Sequence, residues 1–179
     1  MFKKMNLTQR AISILIRLAR SPEREYYVRE LANAVGVSVG GTYNILEMLR
    51  ESDLVKRKKA GRNTYYKIDP DHPAVSHFKI FANVMDLNET MASLKDNSRK
   101  IILFGSCSTG NDTMNSDIDL LIITEDSEMV RDVLKRAGTD RKIRPVILSP
   151  RELIVLKEKD PAFYNEASKG IVLWREKNE

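Results

Sequence analysis

Two aspartates form the residue pattern in this sequence that points most clearly to chemistry. Asp117 and Asp119 alternate within the run Ser116-Asp117-Ile118-Asp119-Leu120, which continues as an apolar stretch to Ile123. Strand side chains alternate between the two faces of a sheet, so both carboxylates project from the same face of one predicted strand. Mg²⁺ prefers oxygen ligands and commonly binds through one or two carboxylates plus substrate phosphates. The spacing therefore predicts a metal site at Asp117 and Asp119.

A glycine-serine pair precedes the aspartates and follows another apolar run, Ile101-Ile102-Leu103-Phe104. We interpret that run as a second buried strand that ends at Gly105. Gly105 permits a close approach of the backbone, and Ser106 can offer its hydroxyl and its backbone N–H to a phosphate at a helix start. Gly105 and Ser106 are thus candidate nucleotide-binding residues.

These residues, with Gly110, Ser116 and Leu120 at the matching separations, resemble the signature of the polymerase-β-like nucleotidyltransferase superfamily, in particular its small prokaryotic members. The resemblance covers roughly residues 85–175. It implies a mixed sheet whose aspartates hold two metal ions against a nucleoside triphosphate while an acceptor hydroxyl attacks the α-phosphorus. The implied cofactors are Mg²⁺ and a nucleoside triphosphate.

The third carboxylate of that family is missing from the strand where it is expected. That strand is the run from Lys142 to Pro150, and Arg144 falls at about the carboxylate's place. A carboxylate from Asp140 or Glu152 would replace it only if the register differs by several residues. An arginine there opposes metal charge and leaves the general-base role unfilled. We therefore expect a degenerate domain that senses a nucleotide or scaffolds a dimer, and we leave open whether the protein is an enzyme. The alternative is an active Mg²⁺-dependent transferase that moves a nucleoside monophosphate onto a protein or small-molecule hydroxyl.

Other polar residues near these motifs have structural interpretations. Asp112 lies in a polar stretch typical of a turn, and Cys107 has no nearby histidine to activate it as a nucleophile. His72 and His77 are interpreted as structural. Between Ala74 and about Lys95, apolar residues recur at helical spacing and predict one helix, whose stripe is either a core face or, in a minority interpretation, a dimer seam: Ile80, Val84, Leu87, Met91 and Leu94.

Positive charge is concentrated in the first part of the chain. Residues 1–70 hold 14 basic and 7 acidic residues, whereas residues 71–179 hold 16 and 18. A basic segment raises the local concentration of a polyanion, and its cations release counterions when they neutralise phosphates. The segment Asp69-Pro70-Asp71-His72-Pro73 marks its end, because prolines interrupt ladders and helices.

Three helices and a hairpin are predicted within this basic segment. The helices are one from Asn6, as its N-cap, to about Ala19, one over Val28 to Val35, and one with Ser38 as its N-cap. Two β-prone runs, 55–59 and 64–68, flank a turn that contains Gly61. This order, over roughly residues 7–69, resembles the winged-helix family of DNA-binding domains.

That resemblance implies contacts with double-stranded DNA. The third helix would enter the major groove, and the hairpin would grip phosphate or the minor groove. Candidate DNA-binding residues are Val39, Gly40, Tyr43 and Asn44 on the helix, with Glu47 as a further possibility, and Lys58, Lys59 and Arg62 on the hairpin. Two alternatives stay open: a lysine run is often only a solvated surface, and winged helices also dock proteins.

The sequence thus predicts a mixed α/β (α+β) protein, with a winged helix-turn-helix at 1–70, a linker and connecting helix at 71–96, and a nucleotidyltransferase-like domain at 97–179. The function expected is that of a DNA-binding transcriptional regulator, and a homodimer is an expectation drawn from the resemblance. The single cysteine excludes intramolecular disulfides and cysteine-based zinc sites. No apolar run approaches the roughly 18 residues of a membrane span. We therefore expect no membrane partner and a cytoplasmic location.

Overall fold

The computed structural model describes residues 6–177. It contains about 51% helix and 21% strand, and the predicted mixed α/β fold class is confirmed. The chain divides into two compact units, one ending at Lys79 and the other beginning at Ile80. No helix within residues 6–177 is long and apolar enough to cross a membrane.

The first unit has the winged helix-turn-helix order that the sequence predicts. Its elements are α1 Gln9–Ala19, β1 Tyr26–Tyr27, α2 Val28–Val35, α3 Val39–Glu51, β2 Val55–Ala60 and β3 Asn63–Ile68. The strands form an antiparallel sheet in the order β1-β3-β2. The three helices and this sheet share one core, in which Ile14, Leu31, Leu46 and Tyr66 are fully buried.

Local capping explains where these helices begin and end. The prediction that Asn6 caps α1 is wrong: the side chain of Thr8 accepts a hydrogen bond from the backbone of Ala11 at 3.2 Å. Thr8 lies immediately before the first helical residue, which is where a cap oxygen can reach a free N–H. Ser38 caps α3 as predicted, by accepting from the Gly41 N–H at 3.1 Å. Between α2 and α3, Gly36 adopts a φ of 64°, a left-handed conformation that ends α2.

The second unit is a four-stranded mixed sheet with helices on both faces. After α4 Pro73–Asp86, which crosses the boundary between the units, its elements follow in this order: α5 Asn88–Leu94, β4 Lys100–Phe104, α6 Ser106–Thr109, β5 Ile118–Ile123, α7 Ser127–Lys135, β6 Ile143–Leu148, α8 Pro150–Lys159, α9 Pro161–Ser168 and β7 Ile171–Arg175. The strand order is β6-β5-β4-β7, with β6 parallel to β5 and the other pairs antiparallel. One face packs on α5 and α7, and the other on α8 and α9.

The prediction of a single helix between Ala74 and Lys95 is wrong in one respect. Helix α4 ends at Asp86, Leu87 interrupts it, and α5 continues from Asn88, followed by a short 3-10 turn. The Leu87 N–H turns to the carbonyl of Val84 at 3.3 Å, three residues back, so the α-helical ladder breaks there. Leu87, Met91 and Leu94 nevertheless lie in the core against the sheet, which favours the core interpretation of the stripe.

Candidate nucleotide site and nucleic-acid interface

Strand register brings the predicted chemical residues to one end of the second sheet. Asp119 of β5 lies opposite Phe104 of β4 and opposite Arg144 of β6. Opposed residues in neighbouring strands share a face, so these three side chains emerge on the same side of the sheet. Asp117 lies one residue before β5 rather than inside it. The carboxylate pair thus sits where β4 ends and β5 begins.

Arg144 lies beside the carboxylates, at the position where sequence reasoning placed it. Its Nε is 3.7 Å from Oδ2 of Asp117, and its side chain is 65% exposed. Burial raises the pKa of the Asp119 carboxyl; Arg144 opposes that rise, and the charges of Asp117 and Glu166 add to it. The permanently charged guanidinium of Arg144 therefore lies close to these carboxylates.

The backbone conformation and the surroundings of Gly105 both favour glycine at this position. It has a φ of 66° and a ψ of −154°, a conformation that is essentially restricted to glycine. A Cβ at this position would lie 2.6 Å from Oδ2 of Asp119. Ser106 follows as the first residue of the one-turn helix α6. The structure therefore brings Gly105 and Ser106, the predicted nucleotide-binding residues, next to the predicted metal ligand Asp119.

A cavity of about 350 Å³ opens beside these residues. Asp119, Arg144 and Glu166 contribute the charged part of its lining, and Phe104 and Phe163 contribute aromatic surface. Their rings meet edge to face, with centroids 5.6 Å apart. The cavity combines apolar walls with a few convergent charged groups, an arrangement typical of small-molecule sites.

Sequence reasoning missed Glu166. Glu166 lies 47 residues beyond Asp119, on helix α9 rather than on strand β5, so no local motif connects the two. The available signal was helical spacing: Glu166 lies three residues after Phe163, which packs on the sheet, so it must border the packed face. The other candidate acids lie elsewhere. Asp140 is in the loop before β6, and Glu152 is held in a capping box with Ser149 at the start of α8.

The donor set fits a single Mg²⁺ better than a pair. Within residues 6–177, no three His, Cys, Asp or Glu side chains form a group that could hold a metal ion. Two carboxylates match the usual protein contribution to one Mg²⁺, whose remaining ligands are phosphates and water. Asp117 and Asp119 are the residues that would hold such an ion.

A buried polar cluster lies behind the site. Arg141 donates to Oδ2 of Asp112 at 2.9 Å and to Oδ1 of Asn83 at 2.6 Å. Asn83 in turn donates to Asp112 and to the backbone carbonyl of Cys107, both at 3.0 Å. Asp112 is fully buried, so it contributes to the core and is more than a residue of a polar turn. The cluster connects α4, α6 and the segment that leads into β6.

Cys107 is packed inside the same region. Its side chain is fully buried, and Sγ lies 3.4 Å from the backbone carbonyl of Asp117. The two histidines make local contacts only among the described residues: His72 accepts from the Ala74 N–H, and His77 bonds the carbonyl of Pro73.

In the first unit, α3 is the helix predicted to enter the major groove, and its exposed surface carries apolar and amide side chains. Val39 is 47% exposed and Tyr43 is 45% exposed, and Asn44 is exposed next to Tyr43. A Cβ at Gly40 would meet nothing within 4 Å. Four candidate DNA-binding residues of α3 therefore lie together at the start of this helix.

Glu47 lies further along the same helix but is held by intramolecular contacts. It accepts hydrogen bonds from Arg50 at 3.0 Å, from Arg57 at 3.3 Å and from the Tyr66 hydroxyl at 2.9 Å. Burial raises the pKa of the Glu47 carboxyl, but the hydrogen bonds and the two arginine charges outweigh burial and leave it lowered. We call Glu47, Arg50, Arg57 and Tyr66 the Glu47 cluster.

The basic residues of the hairpin divide between two faces. Lys58 lies opposite Tyr65, on the face away from the buried Tyr66, and it donates to Glu25 at 2.9 Å. Lys56 and Lys67 on the same face pair with Asp69 and Glu23. Lys59 shares the other face with Arg57, which reaches α3. Among the described residues, no acidic side chain pairs with Lys59 or with Arg62 at the turn.

Comparison with known proteins assigns the second unit to a family. The model of the family described as Polymerase beta, Nucleotidyltransferase matches residues 86–179, which is more than half of the chain. The chain belongs to this nucleotidyltransferase family. No curated protein matches it significantly. The family usually uses Mg²⁺ and nucleoside triphosphates.

Several solved structures are similar to part of the chain. NolR from Sinorhizobium fredii shares 26% identity over 46% of this chain and 75% of its own, with a TM-score of 0.37. Reduced HlyU from Vibrio cholerae shares 21% identity over 43% of this chain and 77% of its own, with a TM-score of 0.37. A homodimeric winged helix-turn-helix DNA-binding domain from Mycobacterium bovis shares 25% identity over 46% of this chain and 73% of its own, with a TM-score of 0.39.

Proposed function

We propose that this nucleotidyltransferase-family protein is a DNA-binding transcriptional regulator whose second unit binds a nucleotide without completing the transfer. The observation that carries the second part is Arg144 in register with Asp119, where the family pattern expects a third carboxylate. Nucleotidyl transfer needs charge that stabilises both the attacking and the leaving oxygen, and a base for the acceptor proton. A guanidinium supplies neither a metal ligand nor a base at neutral pH.

Arg144 suits phosphate binding instead. Its planar guanidinium can donate two parallel hydrogen bonds to a phosphate, and it is largely exposed to the cavity. In this proposal, Asp117 and Asp119 hold one Mg²⁺, Arg144 binds phosphate oxygens, and the cavity beside Phe163 receives the rest of the nucleotide. The ion supplies charge neutralisation for the phosphates.

Nucleotide binding can be measured separately from transfer. The protein is incubated with α-labelled nucleoside triphosphates and Mg²⁺, and both retained and covalently attached label are counted. We expect retained nucleotide that is lost in Arg144→Ala and in Asp119→Asn, without labelled acceptor. The matched control is Arg151→Ala, which removes an exposed arginine on α8. Absence of retained nucleotide in the unaltered protein would refute this part of the proposal.

Glu166 favours a second candidate function, an active transferase that moves a nucleoside monophosphate onto a protein or small-molecule hydroxyl. It lines the same cavity as Asp119, and with Asp117 its charge raises the pKa of the Asp119 carboxyl. In this candidate, Glu166 accepts the acceptor's proton. Covalent labelling that depends on Asp119 and falls in Glu166→Gln, but not in the control Glu158→Gln on α8, would establish it over the first.

DNA binding is supported by the basic first unit and by Lys59 and Arg62 at the hairpin turn, with which no acidic side chain among residues 6–177 pairs. We expect retention of the full-length protein on duplex DNA that weakens steeply with salt, because each neutralised phosphate releases counterions. Replacing Lys59 and Arg62 by alanine is expected to reduce affinity and the salt dependence. Lys58→Ala is expected to change less, since Lys58 already pairs with Glu25. The matched control, Arg151→Ala with Lys159→Ala, removes two exposed charges from α8. Equal binding by the hairpin variant and this control would remove the hairpin from the interface.

A further inference from the structure

The exposed start of α3 limits which bases it can read. Guanine is most often recognised by two hydrogen bonds from an arginine or a lysine, and adenine by two from an asparagine or a glutamine. Thymine differs from the other bases in the groove by a methyl group, which apolar side chains contact. The side chains that α3 leaves free therefore determine its base preference.

No lysine or arginine side chain of α3 is free to contact a guanine. Arg50 is the only lysine or arginine in α3, and it binds Glu47 at 3.0 Å. Arg57, which reaches α3 from the hairpin, binds the same carboxylate at 3.3 Å. Releasing either arginine toward a guanine would leave the partly buried Glu47 with fewer partners, which is unfavourable.

The serine and threonine hydroxyls at the start of this helix are also engaged or inaccessible. The Ser38 hydroxyl accepts from the Gly41 N–H as the helix cap, and Thr42 is fully buried. The exposed polar side chain with paired donor and acceptor atoms on this turn is Asn44. Val39 and Tyr43, on the same exposed side, offer methyl groups and an aromatic ring that also carries a hydroxyl.

We propose that α3 selects A·T base pairs, with Asn44 hydrogen-bonded to adenine and Val39 and Tyr43 in contact with thymine methyl groups. This inference rests on the proposed DNA binding and specifies its target. Gly40 contributes by absence: with no side chain and open space around it, the helix can lie close to the base edges.

The hairpin turn is consistent with the same class of target. Gly61 turns the chain with a φ of 61°, and Arg62 follows it without an acidic partner among residues 6–177. A·T-rich duplexes have a narrow minor groove whose negative potential attracts arginine. One target composition thus suits both the helix and the turn.

The test is selection of binding sites from a random duplex library by the full-length protein, followed by affinity measurements on the enriched site. We expect A·T pairs at the positions that α3 contacts. Replacing thymine by uracil there, which removes only the methyl groups, is expected to weaken binding severalfold, and Asn44→Ala about tenfold or more. In Val39→Ser, the uracil substitution is expected to have a smaller effect.

The controls separate the two levels of the proposal. Asn33→Ala removes an exposed asparagine from α2 and is expected to leave both affinity and base preference unchanged. Enrichment of G·C pairs at these positions, or an unchanged preference in Asn44→Ala, would overturn the assignment while DNA binding stands. Absence of duplex binding even at low salt would refute the proposed DNA-binding function together with the assignment.

Discussion

Single atoms decide whether the carboxylate site can form. A Cβ on Gly105 would lie 2.6 Å from Oδ2 of Asp119, and the backbone there has a positive φ that side chains disfavour. We expect Gly105→Ala to displace Asp119, to weaken nucleotide retention and to lower stability by about 1–3 kcal/mol. Equilibrium denaturation and nucleotide retention measure the two effects. Gly138→Ala, at a position with open space, is the matched control, and equal behaviour of the two variants would contradict the role given to Gly105.

The buried ion pair behind the site carries a separate prediction. Asp112 is fully buried, and the Arg141 side chain is only 9% exposed. Removing one partner of a buried pair leaves an uncompensated charge, so we expect Asp112→Ala to destabilise the second unit by about 3–5 kcal/mol. Urea denaturation of the full-length protein measures this. The exposed pair between Asp132 and Lys135 is the comparison, and Asp132→Ala is expected to change stability little.

At the scale of elements, the Glu47 cluster joins α3 to the hairpin. The pKa of Glu47 is lowered in the folded protein, so its contribution to stability is fully present above the ordinary glutamate value near 4.3 and is lost as pH falls through the lower folded value. We expect acid to destabilise the first unit more in the unaltered protein than in Glu47→Gln. Thermal unfolding between pH 7 and pH 3 tests this, with Glu51→Gln at the exposed end of the same helix as the control.

If acid lowered the stability of Glu47→Gln as much as that of Glu51→Gln, the assignment of this pH dependence to Glu47 would be wrong. The hydroxyl of Tyr66 gives an independent readout of the same cluster. Burial and the hydrogen bond to Glu47 raise the pKa of Tyr66 to about 12, so its ultraviolet titration should occur well above that of an exposed tyrosine.

Elements were predictable where the pattern is local. The turn between α2 and α3, the capping role of Ser38 and both strands around the carboxylates follow from spacing within a few residues. The break at Leu87 was not predictable in this way, because no proline or glycine marks it and the apolar spacing continues through it. The opposition of Asp119 and Arg144 was approximated from register, whereas Glu166 and the Arg141 cluster depend on contacts between distant segments.

At the scale of the whole molecule, charge and exposed apolar surface bear on assembly. Phe81 and Met85, one turn apart on α4, are 57% and 49% exposed. Exposed large apolar residues at such spacing favour a protein contact, and we expect a homodimer that buries them. Light scattering on the full-length protein should give about twice the chain mass of 20.5 kDa, and Phe81→Glu should lower it. Met129→Glu, at another exposed methionine, is the control; a chain mass of one copy in the unaltered protein would contradict the prediction.

The burial of Cys107 allows transient openings of the segment from Gly105 to Thr109 to be timed chemically. Cys107 belongs to α6, directly after Gly105 and Ser106, and burial raises the pKa of its thiol. Alkylating reagents attack thiolates, so iodoacetamide should modify the native chain only during transient openings of this helix. The alkylation rate, followed by intact mass, therefore reports how often this segment opens. We expect bound nucleotide to slow it and urea to raise it to that of a free thiol.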